Sequence, residues 1–188
     1  MGTSNILIKS KNTKVTYNKN EIISASYVIP EDLEELDENA PIILKGSFTG
    51  NRKIDEDTNI VGPSTISEFK VDKVYKGSIE NDIISVLEPF EIKDNNFTNI
   101  EGYIPMEENK EYILFLREND ISEGKQYTIK FISFGKYNTS KEDNIVNQKS
   151  SIKYLEEVKD SEFISESQEI CDTYINIKGE VLDKYLYK

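Results

Sequence analysis

Histidine and tryptophan are absent from the 188-residue sequence, and cysteine occurs once. Without an imidazole, the chain has no Ser-His-Asp or Cys-His catalytic machinery and no histidine ligand for zinc. A single cysteine, Cys171, excludes an intramolecular disulfide and a cysteine zinc cluster, and we interpret it as a small buried side chain. Most familiar hydrolase chemistries are thereby excluded, and the sequence predicts no cofactor and no bound metal.

Long hydrophobic runs are also missing. No apolar segment approaches the roughly 20 residues that a membrane-spanning helix needs. The first five residues lack the basic segment and the hydrophobic segment of an export signal. Because Met1-Gly2-Thr3 is typical of residues added for expression, we expect a native export signal to have been removed.

Positive charge is scarce, with 23 basic residues against 35 acidic residues and a formal net charge of -12. Binding to nucleic acid or to an anionic membrane needs clustered lysine and arginine, so the composition argues against both. The length and the 37% hydrophobic content favour one compact domain with a single sizeable core.

The N-terminal third contains strand-prone segments and one short helix. We expect residues 1–30 to form an extended arm with one or two strands. Proline at position 30 and an acidic first turn predict a helix over residues 31–39, and Pro41 ends it. Residues 42–48 then alternate as a strand.

Residues 65–89 are the most informative segment, because they are typical of two strands joined through a Lys-Gly-Ser turn at residues 76–78. Phe69 and Val74 lie on opposite faces of the first strand, so both faces carry apolar side chains. This pattern predicts a strongly bent barrel strand, with its outer face partly covered by another element.

Two further strands are expected over residues 112–116 and 127–132, paired as a hairpin, with Phe131 pointing inward. Gly46, in the middle of the strand predicted over residues 42–48, indicates a bulge or sharp bend. Polar, turn-rich segments at residues 49–63 and 94–99 are interpreted as loops.

The apolar spacing changes to a helical period after residue 150, first over residues 152–158 and then over 170–177. Gly179 is expected to end the second helix. The sequence therefore predicts a mainly β fold with appended helices (α+β). Its centre is a small OB-like Greek-key barrel over residues 31–140, covered by a C-terminal helical extension over residues 145–188.

Four segments carry a family resemblance: residues 40–46, 65–77, 111–116 and 134–138. Their order resembles a group of small, mostly uncharacterised exported or lipid-anchored bacterial proteins, whose barrel looks like the OB-like fold of tissue inhibitors of metalloproteinases. The resemblance implies an extracellular or cell-surface protein that reaches a membrane only through a lipid anchor. The animal inhibitors act through an N-terminal cysteine, which this chain lacks.

The leading hypothesis is a noncatalytic extracytoplasmic binding protein that uses the loops at residues 49–64 and 90–105. Its partner is expected to be a protein or a cell-envelope component, and the chain a monomer or weak oligomer. The acidic cluster at residues 55–57 could be a solvated loop or a calcium site, and both alternatives stay open, although the spacing of an EF-hand is missing. The candidate partner-binding residues are Arg52, Asp55, Asp57, Phe90, Phe97 and Tyr103.

Three alternatives accompany this hypothesis. A carboxylate-dependent hydrolase would place its site among Glu68, Asp72 and Glu88. A protease-inhibitor-like protein would have to act without an N-terminal cysteine. A single-strand nucleic-acid binder of the OB type would require a basic groove with exposed aromatic rings.

Overall fold

A closed β-barrel lies at the centre of the computed structural model, which describes residues 14–23, 28–56, 62–121, 124–140, 146–147 and 152–188. The strands are β1 (Thr16–Ile23), β2 (Ile42–Ile54), β3 (Thr65–Lys76), β4 (Ile83–Glu88), β5 (Phe90–Lys93), β6 (Asn96–Ile100), β7 (Glu111–Ile121), β8 (Gly124–Ile129), β9 (Lys136–Asn138), β10 (Val146–Asn147) and β11 (Ile164–Ser165). The helices are α1 (Leu33–Asn39), α2 (Gln168–Tyr185) and the short 3-10 helices Ile132–Gly135 and Leu155–Glu157.

The barrel consists of five strands in the order β2-β3-β4-β8-β7, and it closes because β7 pairs with β2 as well as with β8. Neighbouring strands are antiparallel except β4 and β8, which run parallel. The short strand β9 extends the same sheet along β7. This architecture confirms the predicted α+β fold with an OB-like barrel, including the β7–β8 hairpin.

Two segments predicted as loops contain β-structure, so these predictions are wrong over residues 49–54 and 96–99. Asp94 and Asn95 have φ angles of 49° and 62° and make a two-residue turn between β5 and β6, as expected when both turn residues need positive φ. The predicted loop at residues 49–63 begins as strand, because β2 continues along β3 to Ile54.

The N-terminal arm is not free. β1 pairs in parallel with β6, and β5 completes a three-stranded sheet. Val15 and Tyr17 pack into the same hydrophobic cluster as the barrel interior. Residues 1–13 and 24–27 of the predicted arm lie outside the described residues.

Alternation along β2 and β7 divides the apolar side chains between two cores. Leu44 and Leu114 face the barrel interior, whereas Ile43, Ile113 and Phe115 face outward into a second cluster. Successive strand side chains point to opposite faces, so a strand that is apolar on both faces needs cover on both. This second cluster, which we call the outer core, is completed by α1, α2 and the aromatic residues Phe134, Tyr137 and Phe163.

The cover lies mainly over β2 and β7 and reaches the β3–β4 hairpin only at the end of β3, which agrees with the predicted partial cover of the hairpin. Val74 and Ile83 on that hairpin remain 38% and 54% exposed. The end of β3 contacts both helices: the Tyr75 hydroxyl donates a 2.6 Å hydrogen bond to the Tyr185 carbonyl oxygen, and Nζ of Lys76 donates to the Asp37 carbonyl oxygen. Phe131 packs against the outer core with a φ of 55°, so its predicted inward position is wrong.

Gly46 lies at a bulge in β2, as predicted, where the register with β3 shifts. An added Cβ at this position would lie 2.0 Å from the Lys70 carbonyl oxygen. Glycine is therefore required by the close approach of two strands, and the resulting bend helps the sheet to close.

The C-terminal region has one long helix instead of two shorter ones. Residues 152–158 contain only the 3-10 turn Leu155–Glu157, whereas α2 starts at the N-cap Ser167, whose side chain accepts from the Ile170 amide. α2 then runs through Gly179 without interruption, because its apolar face on the outer core outweighs the low helix propensity of one glycine.

Replacing Gly179 with alanine is expected to raise the free energy of unfolding by about 0.5–1 kcal/mol. An added Cβ would meet nothing within 4 Å, so the gain in helix propensity is not offset by a clash. Urea denaturation would measure the change, and a loss of stability would contradict this account of the position.

Within the described residues, no helix combines the length and the apolar character needed to span a membrane.

Candidate functional site

A cavity of about 320 Å³ lies between the end of β2, the start of β3, the three-stranded sheet of β1, β6 and β5, and the segment before β11. It unites parts of the chain that are distant in sequence, including both predicted binding segments. Its size is in the range of small-ligand sites. We call it the rim cavity, and its lining comprises Val15, Arg52, Thr65, Phe90, Ile92, Pro105, Glu107, Leu155, Glu156 and Lys159.

Arg52 occupies one wall of the rim cavity with its side chain 19% exposed. Its guanidinium lies 3.9 Å from the centroid of the Phe48 ring and 5.3 Å from that of Phe90. A cation above the face of an aromatic ring is attracted to it at such distances, so both rings stabilise the guanidinium. The guanidinium also donates to the Met106 carbonyl oxygen, so Arg52 is held in one position.

The buried carboxylate of Glu88 anchors Arg52 from inside. Its Oε1 lies 3.1 Å from Nη2 of Arg52 and accepts a hydrogen bond from the Ser67 hydroxyl at 2.5 Å. Its Oε2 accepts from the Tyr103 hydroxyl and from the Met106 amide, both at 2.8 Å. Glu88 is 0% exposed, so these donors replace the water that it lost on burial.

The groups around Glu88 are themselves deeply buried. Burial, with a smaller effect of the nearby Glu88 charge, raises the pKa of Tyr103 well above its ordinary value. Burial lowers the pKa of Lys136 to about 8. The Lys136 ammonium lies 4.5 Å from the Tyr103 ring centroid and donates to the Ile104 carbonyl oxygen. These hydrogen bonds hold residues 103–106, and Pro105 of this segment lines the rim cavity.

Glu107 is the titratable group of the rim cavity whose pKa is shifted upward. Burial raises the pKa of its carboxyl, and the positive charges of Arg52 and Lys159 partly oppose the rise. Its amide donates a 2.8 Å hydrogen bond to the Tyr112 hydroxyl, which fixes the backbone at the cavity edge. The cavity therefore combines apolar walls with a carboxyl group of raised pKa beside two cations.

The raised pKa of Glu107 predicts a pH-dependent stability effect. The folded state binds more protons than the unfolded state between the ordinary pKa of 4.5 and the raised value, so stability falls as pH rises through this window. Glu107→Gln is therefore expected to match the wild type below pH 4.5 and to be the more stable protein at neutral pH.

Denaturation at both pH values would test this expectation. Glu108→Gln makes the same change of charge at an exposed neighbour and serves as the control. An equal stability difference at the two pH values would contradict the raised pKa of Glu107.

The predicted partner-binding residues divide into three groups. Arg52 and Phe90 both line the rim cavity, which brings the two predicted segments together, but Phe90 is only 1% exposed and also packs in the core. Phe97 and Tyr103 are 1% and 0% exposed, so their predicted place in a partner-binding loop is wrong: both rings pack in the core. Asp55 lies outside the cavity lining and accepts from the Ser64 hydroxyl at 3.2 Å, and Asp57 lies outside the described residues.

The three carboxylates of the hydrolase alternative do not converge. Glu88 lies inside the barrel, whereas Glu68 is exposed and accepts from the Asn51 side chain at 2.7 Å. Asp72 is likewise exposed on β3. Among the described residues, no group of three or more acidic or cysteine side chains is arranged to hold a metal ion.

Sequence reasoning missed Glu107, Leu155 and Lys159 as cavity residues. No local pattern distinguishes them from the many other charged and apolar residues of the chain. The internal position of Glu88 did leave a signal, because it continues the inward alternation of Ile84 and Val86.

Comparison with known proteins yields no match among protein-family models, curated proteins or solved structures. The resemblance to small exported bacterial proteins accordingly stays a prediction. The fold and site define a five-stranded OB-like barrel with a helical cover and a rim cavity.

Proposed function

We propose that the protein is a noncatalytic binding protein that holds a ligand, or a side chain of a partner protein, in the rim cavity. The observation that carries the proposal is the junction of both predicted binding segments around one cavity of about 320 Å³. The complementary ligand group has an apolar body and a polar end. Its body would contact Phe90, Ile92 and Leu155, and its end would meet Arg52 and Glu107.

The rigidity of the cavity supports binding. Arg52 is held by Glu88, Met106 and the Phe48 ring, so a ligand does not have to order this long side chain. Since ordering side chains costs affinity, a preorganised wall favours association. The low exposure of Arg52 also strengthens its interaction with an anionic or polar ligand group.

A cavity-filling variant tests this function. Ile92→Trp would place an indole in the rim cavity, whereas Ile83→Trp makes the same change at an exposed position of β4. The probe is a library of small amphipathic molecules, with binding followed by NMR chemical-shift changes. We expect ligands that perturb cavity residues to bind at least about tenfold more weakly to Ile92→Trp, with unchanged binding to Ile83→Trp. Equal binding to both variants would refute the proposed site.

A carboxylate-dependent hydrolase is the second candidate, relocated to the rim cavity. The specific observation in its favour is the raised pKa of Glu107 in a cavity that Glu156 also lines. A carboxyl of raised pKa beside a second carboxylate suits general acid catalysis. A panel of chromogenic glycosides tests this candidate: hydrolysis that Glu107→Gln abolishes and Glu108→Gln preserves would support it, and no hydrolysis by the wild type would reject it.

We further propose an extracellular or cell-surface location, with a protein or cell-envelope component as the partner. The support is the resemblance carried by residues 65–77 and 111–116. The native reading frame upstream of residue 4 tests the location. A hydrophobic segment ending in cysteine would support a lipoprotein, and a cytosolic start without such a segment would overturn it.

A further inference from the structure

Three polar side chains meet in the outer core between β9 and α2. Lys178, Glu162 and Asn138 are 1%, 2% and 9% exposed. Nζ of Lys178 lies 2.8 Å from Oε1 of Glu162 and 3.3 Å from Oδ1 of Asn138. An amine, a carboxylate and a carboxamide are thus in contact, although they come from three separate parts of the chain.

Aromatic rings pack beside this group. The Tyr174 ring lies 4.9 Å from that of Tyr137 and 4.8 Å from that of Phe163, centroid to centroid. The Tyr174 hydroxyl lies 2.8 Å from Oε2 of Glu162. Burial of an ammonium-carboxylate pair in such surroundings carries a large desolvation cost. Proton transfer from Lys178 to Glu162 would remove both charges and leave a nucleophilic neutral amine.

The Asn138 carboxamide is polarised for attack. Its Oδ1 accepts a hydrogen bond from the Ser140 amide at 3.1 Å, in addition to its contact with Lys178. A backbone N–H directed at a carbonyl oxygen stabilises the oxyanion that forms on addition of a nucleophile. Glu162 also accepts from the backbone N–H of Asn138 at 3.3 Å, so the carboxylate lies beside both residues.

We propose that Lys178 and Asn138 form an intramolecular isopeptide bond, with Glu162 as the proton-transfer group. Glu162 takes a proton from the Lys178 ammonium, and the neutral Nζ attacks Cγ of Asn138. The Nζ–Cγ bond forms and the Ser140 N–H stabilises the oxyanion. When the carbonyl re-forms, the Cγ–Nδ2 bond breaks.

Proton transfers complete the reaction without an oxidant or reductant. Glu162 donates its proton to the departing nitrogen and then takes the surplus proton from Nζ. Ammonia leaves and is protonated, so that Glu162 is a carboxylate again. The net change converts an ammonium and a carboxamide into a secondary amide and an ammonium ion.

The leaving group has an exit. Asn138 lines a polar cavity of about 640 Å³ together with Thr139, Ser140 and Asp160. Ammonia formed at Cγ can therefore leave through this cavity, while Lys178 stays buried. The site thus separates a dry nucleophile from an accessible leaving group.

The bond would join β9 of the barrel sheet to α2, closing a loop over residues 138–178. A covalent link of this kind restricts the unfolded chain and holds the C-terminal helix on the barrel. With a single cysteine, the chain has no disulfide to do this. The proposal is independent of the ligand of the rim cavity.

Intact mass spectrometry of the purified full chain tests the bond. The expected mass is the sequence mass minus one ammonia, and protease digestion should yield a branched peptide joining residues 138 and 178. Lys178→Met and Glu162→Gln should each retain the full mass of their own sequence. Asn138→Asp should lose one water in place of ammonia, because the same attack on a carboxylic acid releases water.

Lys184→Met is the matched control, because Lys184 pairs with Asp37 at a partly exposed site, and it should keep the loss of ammonia. The wild-type measurement does not depend on the folding of any variant. A wild-type chain with its full mass would overturn the proposal and leave a noncovalent ion pair. A mass deficit without the branched peptide would overturn it too, since cyclisation of an asparagine to a succinimide also releases ammonia.

Discussion

Replacing Glu88 with glutamine is expected to lower the free energy of unfolding by about 3–5 kcal/mol. The wild-type carboxylate accepts from the Ser67 and Tyr103 hydroxyls and from the Met106 amide. An amide group in its place would direct N–H groups at some of these donors and would leave Arg52 without its counter-ion. Removal of one partner from a buried ion pair is costly because the other charge stays desolvated.

Urea denaturation of Glu88→Gln beside Glu111→Gln provides the comparison. Glu111 likewise forms an ion pair, with Lys45 at 2.9 Å, but its side chain is 36% exposed. We therefore expect its replacement to lower the free energy of unfolding by less than about 1 kcal/mol. A double-mutant cycle with Arg52→Met should show strong coupling to Glu88. Similar losses for the two glutamate variants would mean that the buried network does not stabilise the barrel.

Gly102→Ala is expected to cost about 3 kcal/mol or more, because strain and overpacking act together. Gly102 has a φ of +74°, and an added Cβ would lie 1.9 Å from the Ile164 carbonyl oxygen. The Gly102 carbonyl accepts from the Ile164 amide at 2.9 Å. The backbone of Gly102 or of Ile164 would have to move, and their hydrogen bond would be disturbed.

Gly124→Ala separates the two causes. Gly124 also has a positive φ, +130°, but an added Cβ there meets nothing within 4 Å. Chemical denaturation should therefore show the smaller loss for Gly124→Ala. If the two variants lose equal stability, the contact with Ile164 does not determine the requirement for glycine at position 102.

The proposed Asn138–Lys178 bond and the Gly102 contact both involve the attachment of the C-terminal segment to the barrel. The C-terminal segment packs on the outer face of β7 and β9, far in sequence from most of its contacts. Each long-range contact costs loop-closure entropy. A covalent link from Asn138 to Lys178 and a close backbone contact at Gly102 would both keep this segment attached to the barrel.

Local patterns predicted several elements correctly. α1, β3, β7 and the β7–β8 hairpin follow from a proline-bounded acidic turn, from period-two alternation and from a short apolar run. The errors fell where long-range pairing or packing outweighed a local signal. Residues 49–54 are polar and turn-rich, yet pairing with β3 makes them strand.

The candidate site was predicted only in part. Two segments rich in polar and aromatic residues predicted the region of the rim cavity, and Arg52 and Phe90 do line it. Composition does not show whether an aromatic residue faces solvent or core, so Phe97 and Tyr103 were misplaced. Glu107 and Lys159 reach the cavity through chain crossings that no local pattern records.

The sequence by itself determined the strand-rich barrel with a helical cover, because apolar residues on both faces of a strand require burial on both sides. The lack of histidine and the single cysteine likewise exclude whole classes of chemistry without coordinates. Only the tertiary structure decided which polar residues meet. Glu88 with Arg52, and Lys178 with Asn138 and Glu162, are pairs separated by 16 to 40 positions in the chain. Their chemistry depends on burial and on distances of a few ångströms, and those are properties of the packed fold.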